Sequence, residues 1–269
     1  MDNSGLEKVA KEVRKDIIKM LTEAGSGHPG GSLSSVEIMV ALYFKFMRHK
    51  PKEPHWPDRD RFILSKGHVC PTQYACLARS GYFPVSELQT LRKCGSRLQG
   101  HPGKDKNLQG VEISSGSLGQ NLSVSCGIAL AGKMDKKDYR VYCLMGDGEI
   151  QEGQIWEAAM TASHYGLDNL CGILDNNDFQ IDGSIKDVKN IYPLEDKWKS
   201  FGWNVFNVDG HNLSQLLKAF SEAESVKGKP SIIIARTIYD YVSVWGFYYP
   251  LINEQEQIPA PRPAPVPKH

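Results

Sequence analysis

The chain has 269 residues and a formal net charge of +1, from 32 basic and 31 acidic side chains. This length supports either two small domains or one large α/β domain with a sizeable core, the latter being the preferred reading. The balanced charge gives no electrostatic case for nucleic acid or a membrane surface, so any phosphate must be held by local groups. The six cysteines, Cys70, Cys76, Cys94, Cys126, Cys143 and Cys171, form no Cys-x-x-Cys pair and mostly lie in apolar stretches, as reduced core residues do. No apolar run approaches the roughly 20 residues of a membrane span, and Met1 to Arg14 is too charged for a signal peptide. A soluble, cytoplasmic protein is expected.

Leu6, Val9, Ala10, Val13, Ile17, Met20 and Leu21 recur at helical spacing and predict an amphipathic helix over 6–24, ended by Gly25-Ser26-Gly27. The glycine-rich loop that follows carries His28. Ser34-x-x-Glu37 reads as a capping box opening a helix that runs to about His49. Arg61 to Ser65 predicts a strand with Lys66-Gly67-His68 at its end. Helices follow at 71–80 and, capped by Ser86, at 87–94. Leu98 to Gly119 reads as loop, with His101 in Gly100-His101-Pro102-Gly103, and Asn121 to Lys133 as a helix of small residues. Tyr139 to Met145, Leu170 to Asp175, Trp203 to Val208 and Ser231 to Ala235 predict strands, with helices at 154–165 and about 213–225. This alternation argues for an α/β fold, a mostly parallel sheet with helices on both faces, whose ligands collect at the strand C-terminal ends. The domain extends over 1–237, followed by a segment of different character at 238–258. From Pro259 every second residue to Pro267 is proline, predicting a disordered tail at 259–269.

Two buried-looking strands end in polar clusters, Gly146-Asp147-Gly148-Glu149 and Asp175-Asn176-Asn177. The glycines flanking Asp147 allow close backbone approach to a ligand. Asp147, the amide oxygen of Asn177 and a nearby backbone carbonyl form a small set of hard oxygen donors, suited to Mg²⁺ that keeps other positions for phosphate and water. His28, His68 and His101 all sit among glycines, and imidazoles so placed suit hydrogen bonding to sugar or phosphate oxygens. His49, His55, His164, His211 and His269 have no such setting and read as surface or packing residues. Glu152 reads either as an exposed acid favoured by a helix N-terminus or as a buried carboxylate at a subunit contact.

Gly146-Asp147-Gly148-Glu149 with Asn176-Asn177 resembles the thiamine diphosphate motif. Ser26-Gly27-His28-Pro29-Gly30-Gly31, Leu64-Ser65-Lys66-Gly67-His68, Gly100-His101-Pro102-Gly103 and Gly116-Ser117-Leu118-Gly119-Gln120 are similar to transketolase, in family order over roughly residues 6–237. The resemblance implies the diphosphate-binding N-terminal subunit of a split transketolase. It implies Mg²⁺ on Asp147, Asn177 and the Phe179 carbonyl. The cofactor would lie along Gly116, Ser117, Leu118, Gly146, Gly148, Glu149 and His68, with His28 and His101 on substrate oxygens and Glu152 at an acidic subunit contact. The implied reaction moves a two-carbon ketol unit from a ketose phosphate to an aldose phosphate, as in pentose phosphate metabolism. The implied assembly is a heterotetramer, a dimer of this chain with C-terminal partner subunits that bring the glutamate acting on the cofactor's pyrimidine ring.

One departure follows Ala235-Arg236-Thr237. The family usually continues with Gly-Lys-Gly and a later His-Gly, whereas this chain reads Ile238-Tyr239-Asp240-Tyr241-Val242-Ser243-Val244-Trp245. Two other readings therefore stand beside the leading one. They are a degenerate, non-catalytic relative serving as a binding or scaffold partner, and the α subunit of a 2-oxo acid dehydrogenase, which would leave His28 and His101 without a role.

Overall fold

The computed structural model describes residues 1–180 and 183–239. Most of the segment expected at 238–258 and all of the proline-rich tail lie outside the described residues, as do Ile181 and Asp182. Five parallel strands form the central sheet: β1 (Arg61–Leu64), β2 (Val141–Gly146), β3 (Leu170–Asn176), β6 (Asn204–Asp209) and β7 (Ser231–Arg236), in the order β1-β2-β3-β7-β6. A two-stranded antiparallel ribbon, β4 (Phe179–Gln180) with β5 (Gly183–Ser184), follows β3 directly.

Strands β2 and β3 are buried along their whole length, as their unbroken apolar sequence requires when helices cover both faces. Alternate residues feed two cores. Tyr142, Leu144, Cys171, Ile173 and Ile233 pack with α1 (Asn3–Ala24), α3 (Val36–Ala41), α4 (Cys70–Ser80) and α9 (Leu213–Ser225). Val141, Cys143, Met145, Leu170, Leu174, Ile232 and Ile234 pack with α5 (Asn121–Met134), α6 (Gly153–His164) and α8 (Leu194–Ser200). Trp198, the largest fully buried side chain, sits in this second core against Trp203, with ring centroids 4.9 Å apart.

Helix α1 follows its sequence closely. Asp2 caps it by accepting from Gly5 N at 2.9 Å, and Gly25 ends it in the left-handed conformation (φ 61°). Its stripe Leu6, Ala10, Val13, Ile17, Met20 and Leu21 is buried. The next helical segment departs from expectation. Helix α2 (Pro29–Ser34) already begins at Pro29, a residue suited to a first helical turn. It is followed at once by α3 and a wider π turn over Leu42–Phe46. The expected capping box is not made, because its two side chains are used elsewhere. Ser34 Oγ donates to Asp175, while the Glu37 carboxylate is held by Arg14 at 2.7 Å and faces His211 Nδ1 at 2.8 Å. The helix expected at 87–94 is a shorter 3₁₀ turn, Val85–Thr90, with no cap bond from Ser86. The chain also has two short helices the periodicity did not indicate, α7 (Ile185–Val188) and α8, after the ribbon.

The crossovers explain where a ligand crevice opens. From β1 to β2 and from β2 to β3 the chain returns over α5 and α6 on one face, whereas from β6 to β7 it returns over α9 on the other. The switch falls between β3 and β7, which are paired from Cys171↔Ser231 to Asn176↔Arg236. In open α/β sheets the space above such a switch, at the strand C-terminal ends, is where ligands bind.

At the far edge Asp60 joins β1 to the rest. It is buried, and its carboxylate accepts from Arg48 N and Arg140 N, both at 2.8 Å, and from the Arg48 guanidinium at 3.0 Å. Asp60→Ala strips two backbone N–H groups of their acceptor and is expected to lower unfolding free energy by about 2–4 kcal/mol in denaturant titration. Asp60→Asn, which keeps an acceptor oxygen, is expected to lose less.

Candidate functional site

Three strand ends meet above the switch. At the first, Lys66 and His68 follow β1. Lys66 is buried and its ammonium donates to Asp175 Oδ2 at 2.7 Å. Asp175, the sixth residue of β3, has no exposed surface and is a hub: Oδ2 also accepts from Ser34 Oγ (2.6 Å) and Ser35 Oγ (2.9 Å), and Oδ1 from the Thr237 hydroxyl. Burial alone would push this carboxyl up; the Lys66 charge and the hydroxyl donors more than reverse it and hold it below the usual range. One buried carboxylate thus fixes the β1 end, helix α2 and the β7 end relative to β3.

At the second, Asp147 is buried at the end of β2. Its Oδ1 accepts from Gly148 N at 2.8 Å and its Oδ2 from Asp178 N at 2.6 Å and Asn176 Nδ2 at 3.4 Å, which ties the β2 and β3 ends together. Burial pushes Asp147 up to about 6, against the opposing charge of Lys66 and with Asp175 adding to the rise. Ionising Asp147 therefore costs stability as pH rises through about 6, since the folded chain holds the proton more tightly than the unfolded one. A cation beside it removes that cost. Asn177, also buried, accepts at Oδ1 from Phe179 N (3.1 Å) and places its amide nitrogen 3.4 Å from Ser34 Oγ.

Glu149 has a different task. Its Oε1 accepts from the Ser65 hydroxyl and from Gly119 N (3.0 Å), and its Oε2 from Gly146 N (3.1 Å). Both oxygens are used inside the protein, so this buried carboxylate clamps the 116–120 loop to the ends of β1 and β2. Burial raises it, and the three donors oppose the rise.

The histidines converge. The His28 and His68 rings stand edge to face with centroids 5.1 Å apart. The His101 ring lies beside Gly116, where an added Cβ would sit 3.3 Å from the imidazole, and whose φ of 142° favours glycine. Gly67 lets this loop close down, since a Cβ there would lie 2.5 Å from Ser115 Oγ and 2.9 Å from Gly116 N. Burial pushes His68 down to about 3, aided by the charge of Lys66. His28 and His101 are lowered by burial and then by Arg92, which donates to Ser26 Oγ at 3.3 Å and packs on Gly100, between the two loops. All three rings are therefore neutral near pH 7, each offering one N–H and one acceptor nitrogen.

The remaining expected residues are exposed. Gly116, Ser117 and Leu118 are exposed, Leu118 by 38%. Phe179 is 46% exposed on the turn after Asn177. Glu152 is exposed at the start of α6, its stem against Gly119. His211, read from sequence as surface or packing, has a packing role: it bridges Glu37 and Ile238 N. Lys66, Asp175, Ser34, Ser35 and Arg92 were not singled out as site residues. Their available signal was a lysine and an aspartate placed where buried apolar strands end, a position that demands a partner.

With this geometry in place, comparison with known proteins is decisive. Residues 6–246 match the family described as transketolase, thiamine diphosphate binding domain. The chain belongs to that family. It is 45% identical over 233 residues to the 6-deoxy-6-sulfo-D-fructose transketolase subunit SqwG of a Clostridium species, covering 87% of this chain and 84% of that one. It is 40% identical to an apulose-4-phosphate transketolase subunit from Phocaeicola vulgatus, covering 86% and 82%. Against Homo sapiens transketolase it is 45% identical but spans only 37% of that protein's length. Among solved structures, transketolase from Campylobacter jejuni superposes with a TM-score of 0.83 at 32% identity, covering 88% of this chain and 38% of the other. The parallel α/β architecture and the transketolase-type, thiamine diphosphate-binding character read from the motifs are thereby shown.

The donor set fits a hard divalent cation and a diphosphate. Among the described residues no group of three or more His, Cys, Asp and Glu side chains is placed to hold a metal. A cation at Asp147 therefore relies on amide and backbone oxygens, the mixture Mg²⁺ accepts while retaining water and phosphate. The carboxylate that burial penalises supplies the charge. Two glycines bring backbone close to the donors beside it: a Cβ on Gly31 would lie 2.9 Å from Val69 Cγ1, 3.6 Å from His68 Nε2 and 3.8 Å from Lys66 Nζ, and one on Gly146 3.8 Å from Lys66 Nζ.

Two outcomes test this electrostatic arrangement. Asp175→Asn removes the carboxylate bonded to the buried Lys66 ammonium and is expected to cost about 3–5 kcal/mol in denaturant titration, while Lys66→Met/Asp175→Asn, with neither charge, is less destabilised than Asp175→Asn alone. The folded pKa of His68 lies below its unfolded value of 6.5, so its contribution to stability is complete above 6.5 and is lost as pH falls toward 3. His68→Asn is accordingly expected to flatten the pH dependence of unfolding free energy between these limits by about 1.4 kcal/mol per pH unit.

Proposed function

We propose that this chain is the thiamine diphosphate- and Mg²⁺-binding N-terminal subunit of a two-chain transketolase, acting with a C-terminal partner subunit in the cytoplasm. The observation that carries the reading is the convergence, above one switch point, of Asp147 and Asn177 with three neutral histidines. Two relatives of matching length are named as transketolase subunits, which supports a separate partner. A dimer of this chain within a heterotetramer is the assembly that follows. The α-subunit reading of a 2-oxo acid dehydrogenase leaves the convergence of His28 and His101 unexplained, and an assay of pyruvate decarboxylation separates the two.

Mg²⁺ is held by the Asp147 and Asn177 side chains and the Phe179 carbonyl. Gly148 and His68 face the diphosphate, with Lys66 adding a cation that Asp175 keeps in place. Gly116, Ser117 and Leu118 flank the aminopyrimidine. Bound thiamine diphosphate supplies a carbon nucleophile and an electron sink, so the protein has to bind, orient and exclude. His28 and His101 hydrogen-bond the sugar phosphate's oxygens, and as neutral rings each can hold a proton or take one at a substrate hydroxyl during transfer of the two-carbon ketol unit from a ketose to an aldose phosphate. Gly146 and Glu149 form the floor that sets the height of the 116–120 loop. Glu152, exposed at the rim, belongs to an acidic contact with a second subunit.

The test is reconstitution. The chain mixed with its C-terminal partner is expected to give Mg²⁺-dependent ketol transfer, and Asp147→Ala to lower kcat/KM by about 100-fold or more. Activity unchanged in Asp147→Ala overturns the metal assignment.

A further inference from the structure

The chain leaving β7 is anchored twice before it reaches the site. Thr237 N donates to the Asn176 carbonyl at 3.1 Å while its hydroxyl donates to Asp175. Ile238 N then donates to His211 Nε2 at 2.9 Å, which places the ring proton on Nδ1, 2.8 Å from the Glu37 carboxylate. These two ties deliver Tyr239 across the crest between the His28 loop and the turn after β3. Its ring rests on the bare Cα of Gly30: a Cβ there would lie 2.3 Å from Cζ and 2.6 Å from each Cε. On its other side it packs against the Phe179 ring, with centroids 5.3 Å apart and planes at 31°.

The turn it touches is the one that bears the metal donors. Asp178 adopts φ 62°, the left-handed region that non-glycine residues avoid. Asp178 N donates to Asp147 and Phe179 N to Asn177, so a shift of this turn moves both side chains that hold the cation. Tyr192 and Asn176 hold Asp178 from one side. Half-exposed Phe179 has Tyr239 on the other.

We propose that Tyr239 is a positioning residue for the metal end of the site, its ring wedged between Gly30 and Phe179 so that the Asn177–Phe179 turn keeps the geometry that accepts a divalent cation and the diphosphate. The inference rests on the reading of Asp147, Asn177 and the Phe179 carbonyl as metal ligands, and adds the residue that fixes them. It also gives Gly30 its reason: any side chain there evicts the ring.

Calorimetric titration of the full chain with thiamine diphosphate at saturating Mg²⁺, and with Mg²⁺ at saturating thiamine diphosphate, tests it beside thermal unfolding of the ligand-free protein. Tyr239→Ala is expected to raise both Kd values by about 10–100-fold while the ligand-free Tm moves little. Gly30→Ala is expected to weaken binding comparably, and Gly30→Ala/Tyr239→Ala to be no weaker than Tyr239→Ala, because both changes remove one contact. Wild-type Kd values in Tyr239→Ala or fully additive losses in the double variant each overturn the proposal. A wild-type chain that binds neither ligand overturns instead the metal and diphosphate reading on which it rests.

Discussion

The arrangement depends on one buried ion pair. Lys66 and Asp175 lie at the ends of β1 and β3, separated by the whole width of β2, and both are shielded from water. A pair so placed adds little net stability, because desolvation offsets most of the attraction. It does fix direction. With Ser34, Ser35 and Thr237 also bound to Asp175, neither helix α2 nor the chain after β7 can shift without uncovering a charge. His28 at the start of α2, His68 beyond Lys66 and Tyr239 beyond Thr237 all take their positions from this one carboxylate.

The same burial sorts the site's ionisable groups by role. Asp175 has a counter-charge within the protein and stays ionised; Glu149 has backbone and hydroxyl donors and serves as a clamp. Asp147 has donors but no cation of its own, and burial raises it to about 6. On the proposed reading that imbalance separates a carboxylate kept for a ligand from two used for structure, although all three are buried acids near strand ends. The histidines follow the converse logic, because burial first, and then the charges of Lys66 and Arg92, lower them and keep them uncharged. Fixed cations beside neutral imidazoles suit an anion with hydroxyl-bearing neighbours, which on the proposed reading is a sugar phosphate approaching a diphosphate.

Much of this was legible in sequence because it follows from periodicity. The α1 stripe, the buried runs of β2 and β3 and the strand and helix alternation fix the architecture, and with it the meeting of residues 68, 147 and 177. The failures were of one kind. Ser34 and Glu37 matched a capping box, yet their side chains turned to Asp175 and Arg14, partners distant in the chain that no local pattern contains. Glu149 lies two residues beyond Asp147 at the same strand end, and the approach of Ser65 and Gly119 separates their roles. Tertiary partners decided each case, against a local pattern that was sound.

Burial across the site runs in one direction. Asp147, Asn177, Lys66 and Asp175 are enclosed, whereas Gly116, Ser117 and Leu118 are open, Leu118 with a large apolar side chain. On the proposed reading, the enclosed polar groups recognise the anionic, metal-bound end of a cofactor through contacts this chain makes alone. An open rim with an apolar side chain gives an aromatic ring one wall and leaves the other to water. Affinity and chemistry are then divided unequally between the two subunits: the diphosphate end is secured here, while orientation of the reactive ring needs the surface that covers Leu118. The isolated chain should then hold the cofactor without turning over substrate. A contact such as Tyr239 on Gly30, which tightens only the enclosed end, should govern how strongly the cofactor is held before the partner arrives.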